Sequence, residues 1–369
     1  MDDRDDGDLG RLGWTLTTLG GASLGAGLGI INPGTKDAIL AFANRNLGLG
    51  LNLDAAQWMG WGLVLVGLLL LGPALIWAYR RAAAPRQAGI GRLLAFRHFS
   101  VSRSVPSRLE PRDLPRNLRR IPIVAVDCDQ TRFMDGTPDV AAALEEQEAA
   151  VEQVLQQRRG DPGLSVAYHG IAHIPFQFLV GHKLTTTVLP TLVELDQADG
   201  RWHAIQEGPG PDLGITSSEE ACPGVPRDVI VRVSVSAEVD RHDAAAVVAE
   251  PFDEFHVRVR TPARDIVTHR AQVGTIANHF REALDKATRR LSAGGRIHVF
   301  AAVPMSVGFS LGRLVSANMH AEVIAYNFTA QASPRYAWGV RINVDAKPGR
   351  RLLKPRTPAT TGPKDPGTP

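Results

Sequence analysis

Val166-Ala167-Tyr168-His169-Gly170-Ile171-Ala172-His173-Ile174-Pro175-Phe176-Gln177-Phe178-Leu179-Val180-Gly181-His182 carries the main structural signal of this chain. An apolar run passes into a glycine-containing loop, then into a second apolar run opened by proline. That is a strand, a loop and a helix. The unit returns 131 residues later: Val166 matches Ile297, Phe178 matches Phe309, Gly181 matches Gly312, and basic His182 matches Arg313. The same offset relates the helical patterns Pro138 to Arg158 and His269 to Arg289, and the short strands Leu192–Leu195 and Val323–Tyr326. A turn and an aromatic run follow each strand, with Trp202 in one copy and Tyr336 and Trp338 in the other. Upstream, the apolar run Ile121 to Asp127 matches Val229 to Ser236 at about 107 residues, which implies an insertion of about 24 residues around 239–265. Strands alternating with helices predict a mainly parallel sheet in each copy. The expectation is two related α/β halves facing each other about a pseudo-twofold.

Composition limits what surrounds this block. The chain has 369 residues, 44% hydrophobic and 21% charged, which excludes disorder of the whole. Its net charge of +3 argues against a protein that coats nucleic acid, and no DNA or RNA duplex is expected as partner. Cys128 and Cys222 are the two cysteines, too few for a disulfide framework or a cysteine-rich zinc site.

Apolar residues gather near the N-terminus. Ala55 to Tyr79 runs 25 residues without a charge, with Trp58 and Trp61 near one end and Trp77 and Tyr79 near the other. Its length and aromatic flanks fit a membrane span. Leu12 to Thr35 is also uncharged and carries the Gly21, Gly25, Gly29 stripe of close helix pairs in lipid. Acidic Asp2-Asp3-Arg4-Asp5-Asp6 argues against a signal peptide. Eleven arginines between 80 and 120 face only Glu110 and Asp113, so this side is expected to be cytoplasmic. These features predict a membrane protein with two spans and both termini cytoplasmic, in contact with the lipid bilayer. The organisation expected is a two-helix transmembrane region over 1–80, a basic linker over 81–118, an α/β block over 119–345 and a disordered tail over 346–369, which holds six prolines.

Ligands of open parallel sheets sit beyond the carboxyl ends of the strands. Ser165 to Val193 holds no Asp or Glu yet keeps His169, His173, His182 and Lys183. Arg296 to Ala321 likewise keeps Arg296, His298, Arg313 and His320. Helix N-termini after Gly170 and Pro304 offer N–H groups to phosphates. The positions selected are Gln130, Thr131, Arg132, His169, Gly170, His173 and Lys183 in the first half. In the second they are Ser234, Ser236, Pro304, Ser306, Phe309, Arg313 and Tyr326. Arg132, Lys183 and Arg313 suit phosphates. Tyr168, Phe309 and Tyr326 suit base stacking, at about 1–3 kcal/mol per base, and suit a hydrophobic core equally.

Ile123-Val124-Ala125-Val126-Asp127-Cys128-Asp129-Gln130-Thr131 places D-x-D-x-T after an apolar strand. This resembles the nucleophile motif of haloacid-dehalogenase-type phosphatases. The alternative it raises is a membrane-anchored phosphohydrolase with Asp127 as nucleophile, Asp129 as acid/base and magnesium. The chain has only six lysines and no acidic pair after a clear strand to complete that set. His169 and His173 stand at i, i+4, but Pro175 and the missing glutamate are unlike a zinc hydrolase helix. No metal, cofactor or catalytic group is expected.

Ala167-Tyr168-His169-Gly170-Ile171-Ala172-His173-Ile174-Pro175 with Phe178-Leu179-Val180-Gly181 resembles the first-half signature of SAVED domains. Ile297-His298-Val299-Phe300-Ala301-Ala302-Val303-Pro304 with Gly308, Gly312-Arg313 and Tyr326 resembles the second. The resemblance covers roughly 119–345. It implies two fused CARF-like, Rossmann-like subdomains, so the fold class expected is an N-terminal α-helical transmembrane hairpin plus an α/β cytosolic SAVED domain. It further implies a non-enzymatic effector of a bacterial CBASS anti-phage system, of the two-helix transmembrane SAVED type, located in the bacterial inner membrane. Its ligand would be a cyclic tri- or tetranucleotide made by a linked CD-NTase. Binding would drive homo-oligomerisation through SAVED domains and membrane disruption by the helices. A tethered signalling partner without lytic activity is the other alternative.

Overall fold

A computed structural model describes residues 91–102, 108–161, 163–185 and 190–354, with isolated helical positions at 41, 44–46, 64–66 and 69. The chain divides into two units, Met1–Ala88 and Gly89–Pro369, and the second contains both α/β halves.

The first half is built on β1 (Leu93–Phe99), β2 (Ile123–Asp129), β3 (Ser165–Ile171), β4 (Thr191–Asp196) and β5 (Arg201–Ala204), in the order β2-β1-β3-β4-β5. β1 to β4 are parallel and β5 returns antiparallel on β4. A short α1 (Thr131–Met134) and the long α2 (Val140–Gly160) follow β2, and α3 (Ile174–Lys183) follows β3. Asp139 starts α2 by accepting a hydrogen bond from Ala142 N at 3.1 Å. Val140, Ala143, Leu144, Gln147, Ala150, Val151 and Val154 then recur at helical spacing and bury one face.

The second half repeats the plan with additions. Its strands are β6 (Thr216–Glu220), β7 (Asp228–Ser234), β8 (Phe252–Arg258), β9 (Arg296–Ala302), β10 (Glu322–Asn327), β11 (Trp338–Arg341) and β12 (Leu352–Leu353), ordered β12-β11-β10-β9-β7-β8-β6. Its helices are α4 (Arg241–Ala245), α5 (Arg270–Arg290), α6 (Met305–Leu314) and α7 (Pro348–Arg351). β7 lies between β8 and β9 as β1 lies between β2 and β3, with parallel pairing in both places. All seven residues of β7 are buried, as befits a central strand covered on both faces.

Several expectations are corrected here. The stretch expected as a linker, 81–118, contains β1, an interior strand of the first sheet between β2 and β3. Ile121 to Asp127 therefore corresponds to β8 and not to Val229 to Ser236. The inferred insertion around 239–265 was the shadow of the unrecognised β1. The expected tail, 346–369, begins with α7 and β12, which pairs antiparallel with β11. An inner-membrane location with two spans is also overturned: among the described residues no helix is long and apolar enough to cross a membrane. The helices that are long enough, α2 and α5, each carry one buried face and one charged face. Leu12 to Thr35 lies outside the described residues, and so does most of Ala55 to Tyr79.

The halves meet where α3 and α6 cross. A Cβ on Gly181 would lie 2.0 Å from the Phe309 carbonyl oxygen, and one on Gly312 would lie 2.1 Å from the Phe178 carbonyl oxygen. Each helix thus gives a glycine to the other's backbone, at positions the 131-residue repeat makes equivalent. One hydrophobic core runs through the crossing, from Leu94 in the first sheet to Ile342 in the second. Phe309 packs on Tyr168 with ring centroids 4.4 Å apart.

Candidate functional site

In both halves the strand carboxyl ends and the N-termini of α3 and α6 share one side. At the end of β1, Ser100 Oγ accepts from His173 N at 2.7 Å and meets His173 Nδ1 at 2.6 Å. That pair fixes His173 as the N-cap of α3. Its ring rests on Phe176 at 6.0 Å and on Trp338 of the other half at 5.9 Å. Burial pushes its imidazole down to about 4, so it is neutral at pH 7.

A reciprocal contact joins the edges from the other direction. Glu194, on β4 of the first half, accepts from Ser306 N at 2.5 Å in the first turn of α6. Met305 N adds a second donor. Burial nonetheless pushes the Glu194 carboxyl above the ordinary glutamate range. The N-terminus of α6, expected to receive a ligand phosphate, already holds a carboxylate of the chain itself. α3 has Pro175 in its first turn and so one N–H fewer to offer.

Beneath the first edge lies a buried polar chain. His98 Nδ1 meets Tyr168 Oη at 2.8 Å and His98 Nε2 meets Gln130 Oε1 at 3.0 Å. Gln130 Nε2 donates to Ala143 O at 2.7 Å. Burial pushes His98 down to about 3. The neutral ring therefore donates through Nε2 and accepts the tyrosine proton at Nδ1. In the second half, Ser234 Oγ accepts from Val239 N at 3.0 Å and meets His256 Nε2 at 2.9 Å, with His256 lowered to about 4, chiefly by burial.

The candidate residues therefore separate. Gln130, Thr131, Arg132, His173, Ser234, Ser236, Pro304 and Ser306 all stand at the shared edge. Gln130, Ser234 and Ser306 are buried there, Gln130 and Ser234 through side-chain bonds and Ser306 through its backbone N–H. Thr131 and Ser236 are half-buried and Arg132 is exposed, beside Glu146 at 3.3 Å. Gly170, at φ +142°, lets β3 approach β1, since a Cβ there would fall 1.9 Å from His98 O.

Five candidates lie elsewhere. His169 is buried between Trp202 and Phe99. Phe309 and Tyr326 are core, with Tyr326 stacked on Phe300 at 4.7 Å. Lys183 and Arg313 sit in the last turns of α3 and α6, about 15 Å from the helix starts at 1.5 Å per residue. Arg313 donates to Leu184 O at 2.8 Å and Thr185 O at 2.9 Å across the crossing, and Lys183 pairs with Glu148 at 3.3 Å. These helices run back from the strand ends, which carries their basic C-termini away from the edge.

Ser100, Glu194 and Trp338 were missed as site residues. Ser100 follows a strand masked by arginines. Glu194 is the first acid after the acid-free stretch that ends at Val193. Asp127 and Asp129 do not form a phosphatase pair: Asp127 is ion-paired with Arg97, and Asp129 accepts from Thr131 Oγ1 at 2.6 Å. β2 is also the edge strand of its sheet.

No curated protein matches the chain. Among solved structures, the Acinetobacter baumannii Cap4 SAVED/CARF-domain containing receptor with the cyclic trinucleotide 2′3′3′-cAAA is similar at 11% identity and TM-score 0.42, over 80% of this chain and 63% of that one. The same receptor with 3′3′3′-cAAA gives 10% and 0.42 over the same shares. The Moraxella osloensis Cap4 receptor gives 9% and 0.39, over 81% of this chain and 64% of that one. This chain thus spans less than two thirds of the length of those receptors. The family model for SAVED, the SMODS-associated and fused to various effectors sensor domain, matches residues 147–342, more than half of the chain, and the chain belongs to that family.

Proposed function

We propose that this chain is a receptor for a cyclic oligonucleotide in a CBASS-type antiviral system. One observation carries the reading: two pseudo-equivalent parallel sheets of a sensor family present their carboxyl ends to a single edge, bridged by Glu194–Ser306 and His173–Trp338. A ring-shaped ligand with repeating phosphates matches a site made of two related halves. Thr131, Arg132 and Ser236 offer it accessible polar groups, beside the neutral ring of His173. A linked CD-NTase supplies the ligand, and occupancy favours association between SAVED domains. For that, the ligand must bind the associating state more tightly than the resting state.

Calorimetry on the full chain tests the reading, with 3′3′3′-cAAA, 2′3′3′-cAAA and cyclic tetranucleotides as titrants and linear triadenylate as control. Saturable binding of a cyclic compound and not of the linear one is the expected result. No heat with any cyclic compound across the panel would reject the proposal. Size-exclusion chromatography with and without the bound compound tests association separately.

A further inference from the structure

The outer face of the first sheet carries a concavity away from the strand ends. Ala95 pairs with Ala125 across β1 and β2, flanked in register by Leu93 with Ile123 and by Arg97 with Asp127. Alternation puts these six side chains on one face, opposite the face that packs on α2. The segment after Arg108 crosses this face, and its Leu109, Leu114 and Leu118 bury Leu93, Ala95, Ala167, Val193 and Trp202. It leaves Ala125 and Asp127 of β2 exposed. The result is an opening of about 320 Å³ lined by Ala95, Arg97, Arg108, Leu109, Ile123 and Ala125. That lies within the roughly 300–1,000 Å³ of small-ligand sites.

The lining has two parts with different chemistry. Alanine is a poor strand residue, and the small exposed Ala125, beside buried Ala95, leaves an apolar floor where a larger side chain would fill the space. Ile123 and Leu109 extend that floor. At the rim stand two guanidinium groups. Asp127 holds Arg97 from the neighbouring strand, and among the described residues no carboxylate pairs with exposed Arg108. Arg112, Arg116, Arg119 and Arg120 follow on the same segment against Glu110 and Asp113, and all four are exposed, so the local potential is positive. Guanidinium forks bind phosphate oxygens pairwise.

We propose that this concavity is a second binding site, for a nucleoside monophosphate, with the base on Ala125 and Ile123 and the phosphate on Arg108 and Arg97. It shares none of its lining with the edge assigned to the cyclic ligand. Equilibrium dialysis of the full chain tests it with AMP, adenosine and inorganic phosphate as separate probes. AMP should bind in the micromolar to low millimolar range and more tightly than either fragment. Arg108→Ala should weaken AMP by about tenfold, as expected for one charge-assisted contact. Ala125→Phe, on the exposed face of an edge strand, should abolish AMP binding by filling the floor. Both variants should keep wild-type secondary structure by circular dichroism. No AMP binding at millimolar concentration would overturn the proposal. So would equal affinity for AMP and phosphate, equal affinity for AMP and adenosine, or unchanged AMP affinity in either variant.

Discussion

Replacing Gly312 with alanine places a methyl group 2.1 Å from the Phe178 carbonyl oxygen. An ordinary carbon–oxygen contact needs about 3.2 Å or more, so α3 and α6 must separate by roughly 1 Å, and a gap of that size forfeits a quarter to a half of each dispersion contact across the interface. Overpacking a tight core costs about 1–3 kcal/mol, and the upper end applies because the obstacle is backbone. Alanine recovers about 1 kcal/mol of helix propensity over glycine. The net expectation for Gly312→Ala is a loss of about 2 kcal/mol, which at 2–4 °C per kcal/mol for a domain of this size is a fall of about 4–8 °C in Tm. Gly181→Ala should behave alike, since its Cβ would lie 2.0 Å from Phe309 O. The double variant should cost less than the sum, because one separation relieves both clashes. Gly274→Ala is the control: nothing lies within 4 Å of a Cβ there, in α5, so it should stabilise by up to about 1 kcal/mol. Thermal and urea unfolding followed by circular dichroism measure all four. A Gly312→Ala protein as stable as Gly274→Ala would refute the close crossing.

Four further outcomes follow from the edge and the buried groups beneath it. Glu194 is held above its unfolded value by burial, so its contribution falls as pH rises from the ordinary glutamate range through that raised value; Glu194→Gln should flatten this part of the urea-derived stability–pH curve. The histidines act in the opposite direction: His98 at about 3 and His173 and His256 at about 4 resist protonation in the fold, so wild-type stability should drop as pH falls below about 6.5 toward 4, with His173→Asn reducing the slope. Tyr168→Phe removes the donor to His98 Nδ1 and should cost about 1–2 kcal/mol in urea unfolding while leaving cyclic-nucleotide affinity unchanged, because Tyr168 is core. Arg132→Glu should do the reverse, weakening the cyclic ligand about tenfold or more in calorimetry with stability nearly unchanged.

What the sequence reveals and what it hides have the same origin. The 131-residue repeat is legible because it is written in shape: Gly181, Gly312, Phe178 and Phe309 are set by a helix crossing that tolerates no Cβ. β1 is illegible because its seven residues include Arg97 and His98 and lie in an arginine-rich stretch, so charge outweighs alternation. No long helix joins β1 to β2 to announce a parallel unit; among the described residues the crossover contains only a 3₁₀ turn at Pro111–Asp113. Missing that strand shifted the equivalence of the next one and created an insertion that does not exist. The acid-free stretches mislead in a subtler way. Their depletion of Asp and Glu is that of buried strand–helix units, and their retained cations have a structural use. Lys183 ends α3 and Arg313 ends α6, where positive charge meets the negative pole of a helix. His182 Nδ1 meets Val315 O at 2.8 Å, and Arg313 reaches back to Leu184 and Thr185. These basic groups bind carbonyls of the opposite half at the far end of the crossing. At the near end the chain supplies its own anion, Glu194, to α6. On the proposed reading, ligand phosphates meet the loops after β2 and β7, where Arg132 is exposed and Thr131 and Ser236 are half-buried.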